Sequence, residues 1–285
     1  MSKAIQTAPN SYPGHTREAF LLVLLLGLLL TLIYAPFVVF LFRTSIGMEQ
    51  LHLGGVLVLV MIAAALRDTL RRDRIRLSMS NYGLALLGGG AFFLMLAGRL
   101  PRLALPLVTI SFCSSFGALI AILFGEIGVR RFLPVLVGMT VFGVLVGLFP
   151  TLDWPLRSVA ARYSAGILAQ LGVPVQLALV PQRPPELLLE VRQRVFSVAS
   201  ECSGFGLLTS SLLVAAVLAV RRPMSWGRRA GLLGFSALAA IVFNMLRIVG
   251  ISLMTVHTGL PYSWIHEGLG TLLYLAGLGL IWWVA

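Results

Sequence analysis

The chain has 285 residues, of which 58% are hydrophobic and only 11% charged, and its mean hydropathy is +0.95. Soluble domains carry about 25% charged residues, so this composition excludes a soluble fold and calls for a membrane. The net charge of +12 rests almost wholly on arginines clustered between apolar runs. That is a topology signal, and it does not point to nucleic acid, because no basic stretch interleaves with stacking aromatics.

Residues 1–18 read as a polar cytoplasmic tail. The apolar run from Ala19 to about Leu41 is longer than the roughly 7 to 15 residues of a signal-peptide core, and no A-x-A-like site follows it. It predicts a retained first transmembrane helix. A span needs about 20 mostly apolar residues, and this criterion predicts about eight, near 19–42, 50–66, 82–98, 103–124, 132–150, 200–220, 230–252 and 264–284. The second and third are short and contain Gly54-Gly55 and Gly88-Gly89-Gly90. The expected fold class is an all-α polytopic membrane protein, with helices one to five in 19–150 and six to eight in 200–285.

Short cytoplasmic loops accumulate Lys and Arg. Arg67, Arg71, Arg72, Arg74 and Arg76 lie between spans two and three, Arg130 and Arg131 between four and five, and Arg221, Arg222, Arg228 and Arg229 between six and seven. All three loops fall on one side, together with Lys3 and Arg17, which predicts that both termini are cytoplasmic. The one long non-spanning stretch, 151–199, is then expected on the outer face. Within it Leu156, Val159, Ala160, Tyr163, Ile167, Leu168 and Leu171 recur at helical spacing opposite Arg157, Arg162 and Gln170, and Gly172 and Pro174 supply a stop. This predicts an amphipathic helix in the interface. Beyond it, Val175, Leu177 and Leu179, then Leu187, Leu189 and Val191, alternate with other residues as two short strands do.

Each of the last three spans carries polar residues near the end predicted to be external. Span six begins Glu201-Cys202-Ser203-Gly204, span seven carries Asn244-Met245-Leu246-Arg247, and span eight begins with His266-Glu267. An intramembrane charge costs about 2.5 to 3.5 kcal/mol on insertion scales, so these residues need partners or a task. Asn244 and Arg247, three apart, share a helix face. A thiol acts as nucleophile in its thiolate form, which a helix N-terminus or a nearby cation favours. His266 is suited to proton transfer, and Arg247 to holding an oxyanion. The two cysteines, Cys113 and Cys202, have no CxxC or Cys/His ligand spacing, so neither a disulfide framework, a metal site nor a cofactor is signalled.

The ordered set Cys202-Ser203-Gly204, Asn244-x-x-Arg247 and His266 at the start of the last helix resembles the exosortase and archaeosortase family. In that family a cysteine in a C-[AS]-G context, an arginine in N-x-x-R and a histidine occur in this order. The resemblance covers roughly the C-terminal 135 residues by these motifs. It implies a prokaryotic plasma-membrane cysteine protease or transpeptidase with Cys202 as nucleophile, Arg247 as transition-state stabiliser and His266 as general acid/base. Asn244, Glu201, Ser203, Gly204 and Glu267 would support them. The implied substrates are membrane-anchored proteins ending in a sorting motif, a transmembrane helix and a basic tail.

Bland alternatives exist for each residue. Cysteine usually packs as a small hydrophobe, the expectation for Cys113 deep in span four. Arg247 has the option of snorkelling, His266 that of an interfacial residue beside Trp264, and Glu201 and Glu267 that of solvated headgroup-level charges. His15, His52 and His257 read as ordinary loop residues. The rival function is a transporter or assembly factor for an exported polymer such as exopolysaccharide. Transporters usually hold coupling residues near the midplane in two related halves, and no such halves are seen. A metalloprotease would need HExxH, and a thiol oxidoreductase a second cysteine near Cys202.

Overall fold

The computed structural model describes residues 15–47, 49–72, 81–181, 185–198 and 200–285. Lys3, Arg74 and Arg76 lie outside the described residues, as do the side chains of His15, Arg17, Arg72 and Glu201. The fold is a polytopic helical bundle with a small antiparallel sheet. Its helices are α1 (His15–Gly47), α2 (Glu49–Arg72), α3 (Asn81–Arg99), α4 (Ala104–Gln170), α5 (Phe205–Arg221), α6 (Trp226–His257) and α7 (Tyr262–Val284).

Six stretches of the described residues are long and apolar enough to cross a membrane. The longest, Pro101–Gln170, is broken at Gly125 (φ 68°, ψ −169°) and has the length for two crossings. That backbone conformation is open to glycine and strained for side chains. A single residue therefore does the work expected of a loop between spans four and five. α5, with 17 residues, sits at the lower limit of roughly 17 to 25 for a span.

The second leg of α4 runs on through Pro150 and Pro155 to Gln170. The amphipathic helix expected after 151 is thus a continuation of this leg. It ends in a Schellman motif, with Val173 N–H donating to Leu168 O, Gly172 N–H to Ala169 O, and Gly172 at φ 74°. Its buried stripe is Ala160, Ala161, Ser164 and Leu168, whereas Val159, Tyr163 and Leu171 face outward. Small residues let the helix approach the sheet and α6, and the large apolar ones are left for the surroundings.

Three strands follow, one more than expected: β1 (Val175–Val180), β2 (Glu186–Val191) and β3 (Arg194–Ser197), in the order β1-β2-β3. Leu187, Leu189 and Val191 of β2 point inward and pack with Leu168, Val198, Ile248 and Val249. The turn between β2 and β3 is fastened to the end of α6. Arg192 Nη1 donates to His257 Nε2 at 3.3 Å, and Arg194 Nη1 to the Thr255 carbonyl at 2.6 Å. His257 is therefore in the last turn of α6, and His52 is in α2; neither is a loop residue.

Among the apolar helices a buried polar knot joins α1, α3 and α4. Tyr34 Oη lies 2.5 Å from Ser111 Oγ and 3.0 Å from Ser115 Oγ, and Ser111 Oγ donates to the Gly90 carbonyl at 2.6 Å. Without water, such groups must satisfy one another. Gly90 permits the approach, because a Cβ there would collide with Ser115 Oγ, whereas Gly88 and Gly89 have nothing within 4 Å. Gly90→Ala should therefore lower the melting temperature in detergent, by the equivalent of about 1 to 3 kcal/mol for overpacking. Gly88→Ala should leave it unchanged. Equal melting of both variants would remove this knot from the account of stability.

Candidate functional site

Cys202 does not lie in a helix. It belongs to a 3-10 turn, Ser200–Ser203, and α5 starts three residues later at Phe205. The reason is Gly204, which takes φ 76° as the residue before the helix. Ser203, almost fully buried, accepts from Phe205 N–H through Oγ at 3.2 Å, so its hydroxyl caps the helix. Phe205 is completely buried and meets Phe149 edge-on at 4.8 Å. The turn bearing Cys202 is thereby fixed where it enters α5.

Asn244 supplies the cross-link to α6. Its Nδ2 donates to the Cys202 carbonyl at 2.9 Å, and the residue is only 3% exposed. It fits because Gly204 has no side chain: a Cβ there would lie 2.6 Å from Asn244 Cγ. The C-S-G and N-x-x-R motifs are thus two halves of one packing contact. One turn further along α6, Arg247 Nη2 donates to His266 Nε2 of α7 at 3.0 Å. A guanidinium has no acceptor, so in this contact Nε2 of His266 is the acceptor. Cys202, Asn244 and Arg247 line one pocket with Leu189, Phe196, Ser197, Val198, Ile248 and Tyr262.

Two contributors were not foreseen. Tyr262, four residues before His266, has its ring centroid 5.4 Å from the imidazole and 6.2 Å from that of Phe196. Gly270, four residues after His266, is buried, and a Cβ there would come within 3.0 Å of Arg247 Nε. The Tyr262-His266-Gly270 stripe at i, i+4, i+8 was visible as a helical period. Of the other expected residues, Glu267 is exposed and makes no hydrogen bond or ion pair among the described residues. Glu201 has its side chain outside them. Cys113 is buried at 5% exposure within α4, away from the pocket.

The depth of the site follows from exposed tryptophans, which favour membrane interfaces. On α7, Trp264 and Trp282 are both exposed, and at 1.5 Å per residue about 27 Å of helix separates them, close to the thickness of a bilayer core. His266 lies just inside the first. On α6, the exposed Trp226 opens the helix, and the same rise brings a residue near Asn244 to the opposite interface. The last ten residues of α6 then project beyond it and carry the sheet.

The fold and the site define a polytopic membrane protein in which a cysteine, an arginine and a histidine gather at one end of the bundle, under a small sheet. The model of the transmembrane exosortase family matches residues 46–283, and the chain belongs to that family. The match extends far beyond the C-terminal motifs and takes in α2 to α4. No curated protein and no solved structure matches the chain.

Proposed function

We propose that this exosortase is a membrane cysteine protease or transpeptidase that cleaves exported proteins at a C-terminal sorting signal. The observation that carries this reading is the continuity of three groups: Cys202 and Arg247 line one pocket, and Arg247 is bonded to His266. In the reaction, Cys202 Sγ adds to the scissile carbonyl and His266 takes the thiol proton. Arg247 turns from His266 Nε2 to the developing oxyanion, which exposes the nitrogen that needs to act as base. Collapse breaks the C–N bond, and His266 returns the proton to the leaving amine. The thioester left on Cys202 is resolved by water, in hydrolysis, or by an acceptor amine, in transfer. Asn244 positions the turn by holding the Cys202 carbonyl.

The arginine clusters argue for cytoplasmic termini and a site on the outer face of the plasma membrane. Arg222 over Trp282, with centroid distance 5.7 Å, and Arg229 over Trp226, at 5.0 Å, anchor the opposite end. A membrane-impermeant thiol reagent added from outside is expected to label Cys202. Labelling from the cytoplasmic side alone reverses the orientation.

The test of activity is co-expression with a tail reporter. This is a soluble exported protein fused to the C-terminal tail of a protein from the same genome that ends in a short motif, an apolar helix and an arginine cluster. Wild type should shorten the reporter on an immunoblot, and His266→Ala and Arg247→Ala should each slow this by about 10²-fold or more. A reporter that keeps its full length beside the wild type, for every such tail in the genome, rejects the protease reading.

A further inference from the structure

β3 is an edge strand: it pairs with β2 and with no other strand. Which of its backbone groups are free follows from the register. Val198 N–H donates to Leu187 O, so the pair Leu187 and Val198 is hydrogen-bonded, and in an antiparallel ladder bonded pairs alternate with unbonded ones. Leu189 with Phe196 and Val191 with Arg194 are then bonded, whereas Leu188 with Ser197 and Glu190 with Val195 are not. The N–H and C=O groups of Val195 and Ser197 therefore point away from β2, to the open edge. Both residues are exposed, and among the described residues no backbone hydrogen bond reaches that edge.

The edge borders the pocket that holds Cys202. Phe196, Ser197 and Val198 line it beside Cys202, Arg247 and Tyr262. Ser197 is informative, because its hydroxyl is turned to the other face of the sheet, where it donates to Glu186 Oε1 at 2.6 Å. What Ser197 presents to the pocket is main chain. The sheet's other edge, β1, is also exposed but contributes nothing to this pocket. An unpaired strand edge is a template for another strand, and peptide-binding domains commonly use one in this way, with backbone bonds giving affinity and alternate side chains giving specificity.

We propose that an extended stretch of the substrate polypeptide, next to its scissile bond, adds to the sheet as a fourth strand on the open edge of β3 and so lays that bond beside Cys202. The inference rests on the protease reading above and goes further by naming how the substrate is held. Alternate substrate residues bond to Val195 and Ser197, while those between turn their backbone groups to solvent. The enzyme thereby recognises main chain over several residues, and an already helical segment is not accepted.

Proline tests this, since it deletes a backbone donor. In Ser197→Pro the lost N–H is the outward one, so the β2–β3 ladder survives. Processing of the tail reporter should fall about tenfold or more, while iodoacetamide still alkylates Cys202 at the wild-type rate. Ser197→Ala, which keeps the N–H, should lose far less than Ser197→Pro, and Leu179→Pro, on the far edge, should process normally. In the second arm the enzyme is wild type and proline is moved one residue at a time through the reporter tail upstream of its apolar helix. Loss of cleavage at every second position is the expected pattern. Wild-type processing by Ser197→Pro, or a proline scan without a period of two, overturns the proposal, and the scan decides the matter if Ser197→Pro fails to accumulate. No cleavage of the unmodified reporter by wild type would instead count against the protease reading, and this inference would go with it.

Discussion

Cys202→Ala should abolish reporter processing, by at least about 10³-fold, the scale on which removal of a catalytic nucleophile is felt. The loss should be chemical rather than structural. The Cys202 backbone carbonyl is held by Asn244 Nδ2 at 2.9 Å, and alanine keeps that carbonyl. Normal abundance and an unchanged melting temperature in detergent should therefore accompany the loss. Cys202→Ser keeps a nucleophile of much higher pKa and should remain far below wild type. Cys113→Ala is the matched control, for Cys113 is buried within α4 and lines no part of the pocket. Undiminished processing by Cys202→Ala would end the nucleophile assignment. Loss in Cys113→Ala at normal abundance would move attention to α4.

Gly204→Ala should cost about 10²-fold in processing with the thiol, the guanidinium and the imidazole all still present. Two effects combine. A side chain at φ 76° is strained by about 1 kcal/mol, and the new Cβ would lie 2.6 Å from Asn244 Cγ and 2.7 Å from its Nδ2. Asn244 must then retreat, taking with it the hydrogen bond that seats the Cys202 turn. A displacement near 1 Å of a reacting group is enough for a loss of this size. Asn244→Ala should be defective too, and the double variant should be little worse than either single one, because both substitutions break the same contact. Additive losses would show that Gly204 and Asn244 act separately. The measurement is the initial rate of reporter shortening, normalised to enzyme abundance.

Much of this was open to sequence reasoning, and the exceptions have physical causes. Apolar runs of spanning length located the helices, because a bilayer sets their length. What hydropathy does not register is the conformation of one residue, and the turn at Gly125 depends on φ 68° there. On residues 151–170 the helical period was legible, but which of its residues pack against the protein was not, because lipid as well as core takes large apolar side chains. Beside lipid, Val159, Tyr163 and Leu171 are left outward and Ala160, Ala161 and Ser164 do the packing. β3 was missed since it has four residues and its turn, Arg192-Gln193 at φ 47° and 69°, lacks the Asn-Gly signal of a tight hairpin. In the site, Cys202, Arg247 and His266 stood out as polar groups near the ends of apolar runs. The fit of Asn244 against Gly204 joins residues forty apart in the chain, and no local pattern reports it.

α6, at 32 residues, is about 48 Å long, and it enters at one interface, carries Asn244 and Arg247 at the other, and continues unbroken into the support of the sheet. Its backbone is helical throughout, so Asn244 and Arg247 keep a fixed spacing from the opposite end of the helix. A substrate anchored by its own membrane helix is presented from the same reference plane. On the protease reading proposed above, the bundle would work as a depth gauge: the bond cut would be chosen partly by how many residues rise from the substrate's membrane helix to the level of Cys202. In the tail reporter, two glycines inserted between motif and helix lift the motif past that level and should slow cleavage, and two residues deleted on the motif's helix side should slow it as well.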